Sequence, residues 1–268
     1  MSAPLDRPRD PVTPDPWVHL GVTTPARLAL GRSGASLPTR EVLNLGLAHA
    51  RARDAVHAAM DGEALAAGIA ALGHACLAVD SAASDRATYL RRPDFGRRLS
   101  AQSRTLFEAP EPGGVDLALI VADGLSAAAI DLNALPLLAA LLPRLSGRSL
   151  APIVVARQAR VALGDEVGGL LGARMAVMLI GERPGLSAAD SLGAYLTFGP
   201  RIGLTDASRN CVSNIRAAGL APDAAAAKIA WLIDRAFALS LTGVALKDES
   251  DRADLPGAAA AAAALIAP

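Results

Sequence analysis

Three unbroken apolar runs limit what this chain can fold into: "VDLALIVA" from Val115, "APIVVAR" from Ala151 and "MAVMLI" from Met175. A strand with one face in water alternates polar and apolar residues. Runs without that alternation belong to strands covered on both faces, the signature of a parallel sheet between helices. Helical patterns separate the runs, "LPLLAALLPRL" before the second and "DEVGGLLG" before the third, and "AYLTFG" from Ala194 offers a fourth strand. Strand and helix in alternation imply right-handed crossovers, so the expected class is α/β with a mostly parallel sheet and flanking helices.

The first 110 residues read differently. Residues 1–28 carry Pro4, Pro8, Pro11, Pro14 and Pro16, which disfavour helix and central strand, and predict an extended arm with Trp17 as its large apolar group. Residues 29–110 give helical signals. "LPTREVLNLGLAHARARDAVHAAM" has Thr39 at an N-cap position and Val42, Leu43 and Leu47 along one side. "GEALAAGIAALG" and the region of "RRLSAQSRTLFEAP" predict two further helices. Between them the arginine-dense "RRPDFGRRLS" reads as a turn, either solvated or set at a subunit contact, where arginine is enriched. The sheet-forming unit is then 111–248. It ends on a helix with Pro222 in its first turn and a stripe of Ile229, Leu232, Ile233, Ala236 and Phe237. Residues 249–268 form an alanine-rich tail with no assigned role.

Charge narrows the functional classes. The 268 residues hold 26 basic and 26 acidic side chains, so neither nucleic acid nor an anionic membrane is an expected partner. No uninterrupted apolar stretch of about 20 residues suggests a membrane span, and no apolar leader opens the chain. Two well-separated cysteines, Cys76 and Cys211, argue against a disulfide framework and for a reducing, cytoplasmic setting.

In open parallel sheets ligands gather beyond the carboxyl ends of the strands. That edge should present Asp123, Gly124, Leu125 and Ser126 after the first run, and Arg157, Gln158 and Val161 after the second. Gly181, Glu182, Arg183 and Pro184 follow the third, and a later turn, "TDASRNCVSNI", brings Arg209, Asn210, Cys211, Ser213 and Asn214. Most of these groups hydrogen-bond; few do acid–base chemistry. Neither GxGxxG, GxxxxGK[ST] nor GxSxG occurs, which disfavours a dinucleotide or nucleotide enzyme and a serine hydrolase. The histidines, His19, His49, His57 and His74, all precede the sheet region, and His74 beside Cys76 is too little for a metal site. The expected catalytic and metal-ligand sets of this chain are therefore empty. Glu182 beside Arg183 reads either as a ligand contact or as a cap on the protein's own strand end, and Cys211 either as a contact or as a small buried hydrophobe.

Taken together and in order, "RRPDFGRRLS", "VADGLSAAAI", "LIGERPGLSAADSLGAY" and "ASRNCVSNI" resemble the small (light) subunit of ethanolamine ammonia-lyase, over about residues 29–245. The resemblance implies a helical N-terminal part and a Rossmann-like C-terminal part. It implies a bacterial, adenosylcobalamin-dependent lyase that converts ethanolamine to acetaldehyde and ammonia. It also implies a TIM-barrel large subunit as hetero-oligomeric partner, with the cobalamin between the two chains. Carried over by motif, the cofactor contacts are Val161 in "ARVALGDE", Glu182 in "GERPG" and Cys211 in "RNCVSN". Cobalamin proteins that replace the lower ligand with histidine use DxHxxG; no DxH occurs here, so the cofactor is expected to stay base-on, its cobalt unligated by this chain. The family also implies a cytoplasmic protein, with a bacterial microcompartment as a further destination. Here the chain departs from the pattern, since many members carry a longer N-terminal extension than this proline-rich arm. The alternative reading is a non-catalytic Rossmann-like binding or scaffold module without a corrinoid.

Overall fold

A computed structural model describes residues 11–107 and 114–253. Its first helices are α1 (Thr39–His57) and α2 (Gly62–Ala71), followed by a strand, β1 (Cys76–Asp80), and two short helices, α3 (Arg86–Arg91) and α4 (Ala101–Arg104). Then come β2 (Val115–Ala122), α5 (Ala127–Leu141), β3 (Ile153–Arg157), α6 (Leu163–Leu170), β4 (Ala173–Gly181), β5 (Leu192–Phe198) and β6 (Asn210–Ile215). The last described elements are α7 (Pro222–Leu239) and one turn, α8 (Ser250–Ala253).

The six strands form one sheet in the order β1-β3-β2-β4-β5-β6. The expectation of a mostly parallel sheet holds for one side of it. β1–β3, β3–β2 and β2–β4 pair in parallel, whereas β4–β5 and β5–β6 are antiparallel. The reason lies in the connections. A parallel neighbour needs a crossover long enough to traverse the sheet, normally a helix. Residues 182–191 carry no helix and simply return the chain, so β5 runs back beside β4.

Both faces of the central strands are covered, as their unbroken runs require. Leu117, Leu119 and Val121 enter a core with Ile130, Leu137, Leu138 and Leu141 of α5 and Ile229, Leu232 and Ile233 of α7. Ala118, Ile120 and Ala122 face the opposite way, toward Leu163 and Val167 of α6. Each fully buried leucine or isoleucine here contributes about 1.5–3 kcal/mol. The segment Ala127–Leu145 is 19 residues long and apolar enough to cross a membrane by length and composition. Its side chains from Ala127 to Leu141 instead lie largely in the core, as a helix apolar on most sides does between a sheet and other helices.

Several expectations for the first part need correction. The segment read as helical contributes β1, paired with β3 at the sheet edge. The third expected helix shortens to α4, and residues 108–110 lie outside the described residues. Thr39 is the first residue of α1 rather than its cap; Pro38 holds that position, with no side-chain capping bond. Val42, Leu43 and Leu47 share a face, but that face is exposed, because α1 turns Ala48 and Ala55 inward. In the proline-rich arm, Val18–Val22 form a short 3-10 turn and Trp17 stays exposed beside His19; residues 1–10 lie outside the described residues. Of the alanine-rich tail, residues 254–268 likewise lie outside them.

Candidate functional site

Two glycine turns build the centre of the carboxyl edge. After β2 the chain turns through Gly124, whose φ of 55° suits a residue without Cβ. Leu125 N donates to Gly181 O (2.9 Å). A Cβ on Gly124 would collide with that carbonyl oxygen, and one on Gly181 would collide with Ser126 O. The turns after β2 and β4 therefore interlock backbone against backbone, and this fixes where Glu182 leaves the sheet. The far end of the 182–191 loop is pinned as well. Ser126 Oγ donates to Ala189 O (2.7 Å), Asn133 Nδ2 to Asp190 O (2.9 Å), and Arg216 pairs with the Asp190 carboxylate (3.0 Å).

The turn after β3 is set by Asp123. Its buried carboxylate accepts from Gln158 N (2.9 Å) and Ala159 N (3.2 Å), and Arg86 Nη1 lies 3.5 Å away. Arg86 also donates to Gly124 O (2.9 Å) and, through Nε, to Val56 O at the end of α1 (2.6 Å). Burial raises the Asp123 pKa, against the lowering effect of the Gln158 N–H and Arg86. One residue on, Arg160 N donates to Gly96 O (2.7 Å), and the Arg160 guanidinium lies 4.3 Å from the Tyr89 ring centroid. The arginine-dense turn is thus anchored at buried Gly96, while Arg91, Arg92, Arg97 and Arg98 remain in solvent.

Between these turns lies a cavity of about 390 Å³. Gly124 and Leu125 line it from the β2 side, Arg160 and Val161 from the β3 side, and Glu182 and Arg183 from the β4 side; Tyr195 of β5 closes it. Val161 and Glu182 therefore share one cavity. Cys211 does not line it directly; it pairs with Tyr195 across β5–β6.

Each predicted residue has a distinct setting. Glu182 is half-buried, and its Oε2 accepts from Ser191 Oγ and Asn214 N (3.4 Å). Oε1 has no protein donor among the described residues, and a Cβ on Gly193 would sit 2.8 Å from it, so the glycine makes its room. Arg183 is exposed, and among the described residues it forms no ion pair with Glu182. Cys211 is exposed, which corrects its reading as a buried hydrophobe. The protein mass around its sulfur still raises the thiol pKa; the Tyr195 hydroxyl opposes this and the charge of Glu182 adds to it.

The other members of "RNCVSN" behave differently from expectation. Asn210 to Asn214 lie on the edge strand β6 rather than a turn, and Arg209 directly precedes it. Arg209 forms a buried ion pair with Asp165, and Asn210 bonds Leu246 O (2.9 Å) and receives Gly243 N (2.8 Å). Both help to hold the fold. Conversely, Tyr195, Arg160 and Arg86 escaped notice in the sequence. For Tyr195 a signal existed, since it stands two residues after Gly193 on the face of β5 that meets Glu182.

Comparison with known proteins fits this arrangement of motifs. The family described as "Ethanolamine ammonia-lyase light chain (EutC)" matches residues 14–247. An "Ethanolamine ammonia-lyase small subunit" of Azotobacter vinelandii is 55% identical over 255 residues, covering 93% of this chain and 94% of the relative. Proteins of the same description from Bradyrhizobium diazoefficiens (57% over 249 residues; 91% and 95% covered) and Ralstonia nicotianae (55% over 245; 90% and 91%) are similarly related. The chain belongs to the ethanolamine ammonia-lyase light-chain, or small-subunit, family.

Proposed function

We propose that this chain works as the small subunit of an adenosylcobalamin-dependent ethanolamine ammonia-lyase, and that it provides one wall of a cobalamin site closed by a TIM-barrel large subunit. The observation that carries the reading is the convergence of Val161 and Glu182 on one cavity, with Cys211 the cross-strand neighbour of Tyr195, which lines it.

The residues present fit a corrinoid seen from one side. A cavity of about 390 Å³ lies at the small end of ligand pockets, ~300–1,000 Å³, and a corrinoid is far larger. It suits a half-site, one that grips part of a large ligand and leaves the rest to a second protein. The donor set matches a rim of amides and hydroxyls: Glu182 Oε1 has lone pairs to accept N–H or O–H, while its Oε2 is held by Ser191 and Asn214. Val161 and Leu125 supply apolar wall, and Arg160 and Arg183 place basic groups on the same cavity.

When bound, the cofactor supplies a cobalt–carbon bond whose homolysis begins the radical deamination of ethanolamine to acetaldehyde and ammonia. The tasks of this chain are to bind, orient and exclude water. Among the described residues no histidine lines the cavity, and we assign no side chain of this chain to cobalt and none to the chemical step. The chain alone is accordingly proposed to be inactive, and its working location the cytoplasm, or a microcompartment within it.

The test is co-expression with the large subunit, followed by an assay of acetaldehyde release and of corrin absorbance in the purified complex. Activity and colour that both require the two chains support the reading. A complex that assembles without either refutes it.

A further inference from the structure

We infer that Tyr195 is a further corrinoid-contacting residue of this half-site, and that its hydroxyl positions the Cys211 sulfur. The inference rests on the cobalamin reading above and names a side chain to which that reading gave no role.

The sheet itself presents this residue. Along β5, Leu192, Ala194 and Leu196 point into the core under α5 and α7, so Gly193, Tyr195 and Thr197 lie on the opposite face. On that face α6 packs against β4 and β2. Beyond it, at the edge of the sheet, Cys211 and Ser213 of β6 are exposed. Tyr195, paired with Met178 on one side and Cys211 on the other, thus sits where the covered part of the face gives way to the open part.

Its surroundings suit contact rather than burial. It is half-buried, one side packed against the α6-side core and the other lining the cavity with Glu182 and Val161. Among the described residues it is the one aromatic lining that cavity. A tyrosine offers a large planar surface at small entropic loss, with a polar tip. Cys211 is its cross-strand partner on β6, and the neighbouring hydroxyl favours the Cys211 thiolate against the effect of burial. The ring remains for a flat apolar ligand surface, and the sulfur is held beside it.

The experiment uses the complex of both subunits, freed of cofactor and titrated with hydroxocobalamin as the probe, its binding read by corrin absorbance after gel filtration. Tyr195→Ala should weaken binding about tenfold or more, the scale of a lost aromatic contact, while the two subunits still co-elute. Tyr195→Phe keeps the ring, so affinity should change less than about threefold. The Phe variant should, however, slow alkylation of Cys211 by iodoacetamide in the cofactor-free complex, because the hydroxyl that favours its thiolate is gone. Peptide mass analysis separates Cys211 from Cys76. A wild-type complex that takes up hydroxocobalamin while Tyr195→Ala binds it equally well overturns the contact and leaves the broader reading standing. An unchanged alkylation rate in Tyr195→Phe overturns the positioning role. A wild-type complex that binds no corrinoid overturns both this inference and the reading beneath it.

Discussion

Asp123 and Glu182 follow the ends of neighbouring parallel strands, β2 and β4, yet they do opposite things. Asp123 is enclosed, and both of its oxygens take backbone N–H groups, from Ala159 and Gln158, with Arg86 close by. Glu182 is half-buried, and among the described residues only its Oε2 finds donors; Oε1 is left toward Gly193 and the cavity. A carboxylate whose acceptors are all used holds a turn together. One with an oxygen to spare at a cavity is available to a ligand. The difference separates the scaffold of this edge from its binding surface.

Mutation should separate them too. The largest effect on stability belongs to Asp123→Ala, which strands two N–H groups and a largely buried arginine; unfolding free energy should fall by about 3 kcal/mol in denaturant melts. Glu182→Ala should lower stability by less than about 1 kcal/mol while weakening corrinoid binding by the complex about tenfold to a hundredfold. If the two variants lose stability equally, the distinction collapses and Glu182 is a strand-end cap after all.

How much of this could be read beforehand follows from where the information sits. β2, β3 and β4 were legible because burial on both faces forces unbroken apolar runs. β1 was not: "CLAVD" is five residues at a half-exposed edge, directly after a helix. Nor was β6, where exposed Cys211, Ser213 and Asn214 leave only Val212 and Ile215 as apolar signals. The stripe of α1 was visible, but nothing in a single sequence says whether this chain covers it. At the site, the motif residues were found by resemblance. Their supports, such as Arg86 reaching from α3 to the β2 turn and Gly96 beneath Arg160, depend on contacts between distant segments that no local pattern records.

Two smaller effects sharpen the comparison. Ser191→Ala removes the hydroxyl that holds Glu182 Oε2, leaving the carboxylate free to swing. Corrinoid affinity should drop by about two- to fivefold in the same titration, with melting unchanged. Glu182→Gln removes the negative charge that raises the Cys211 pKa. More thiolate should then form at a given pH, and Cys211 alkylation in the cofactor-free complex should speed up by about two- to threefold. No acceleration would place Glu182 and Cys211 too far apart to share one surface.

The account comes down to whether the Glu182 cavity holds part of a corrinoid. The most direct measurement is the corrin colour that co-elutes with the assembled complex, wild type against Glu182→Ala, under identical loading. The prediction is a coloured wild-type complex and a variant that keeps both subunits together but loses most of the colour. A wild-type complex without colour, or a variant as coloured as the wild type, would contradict it.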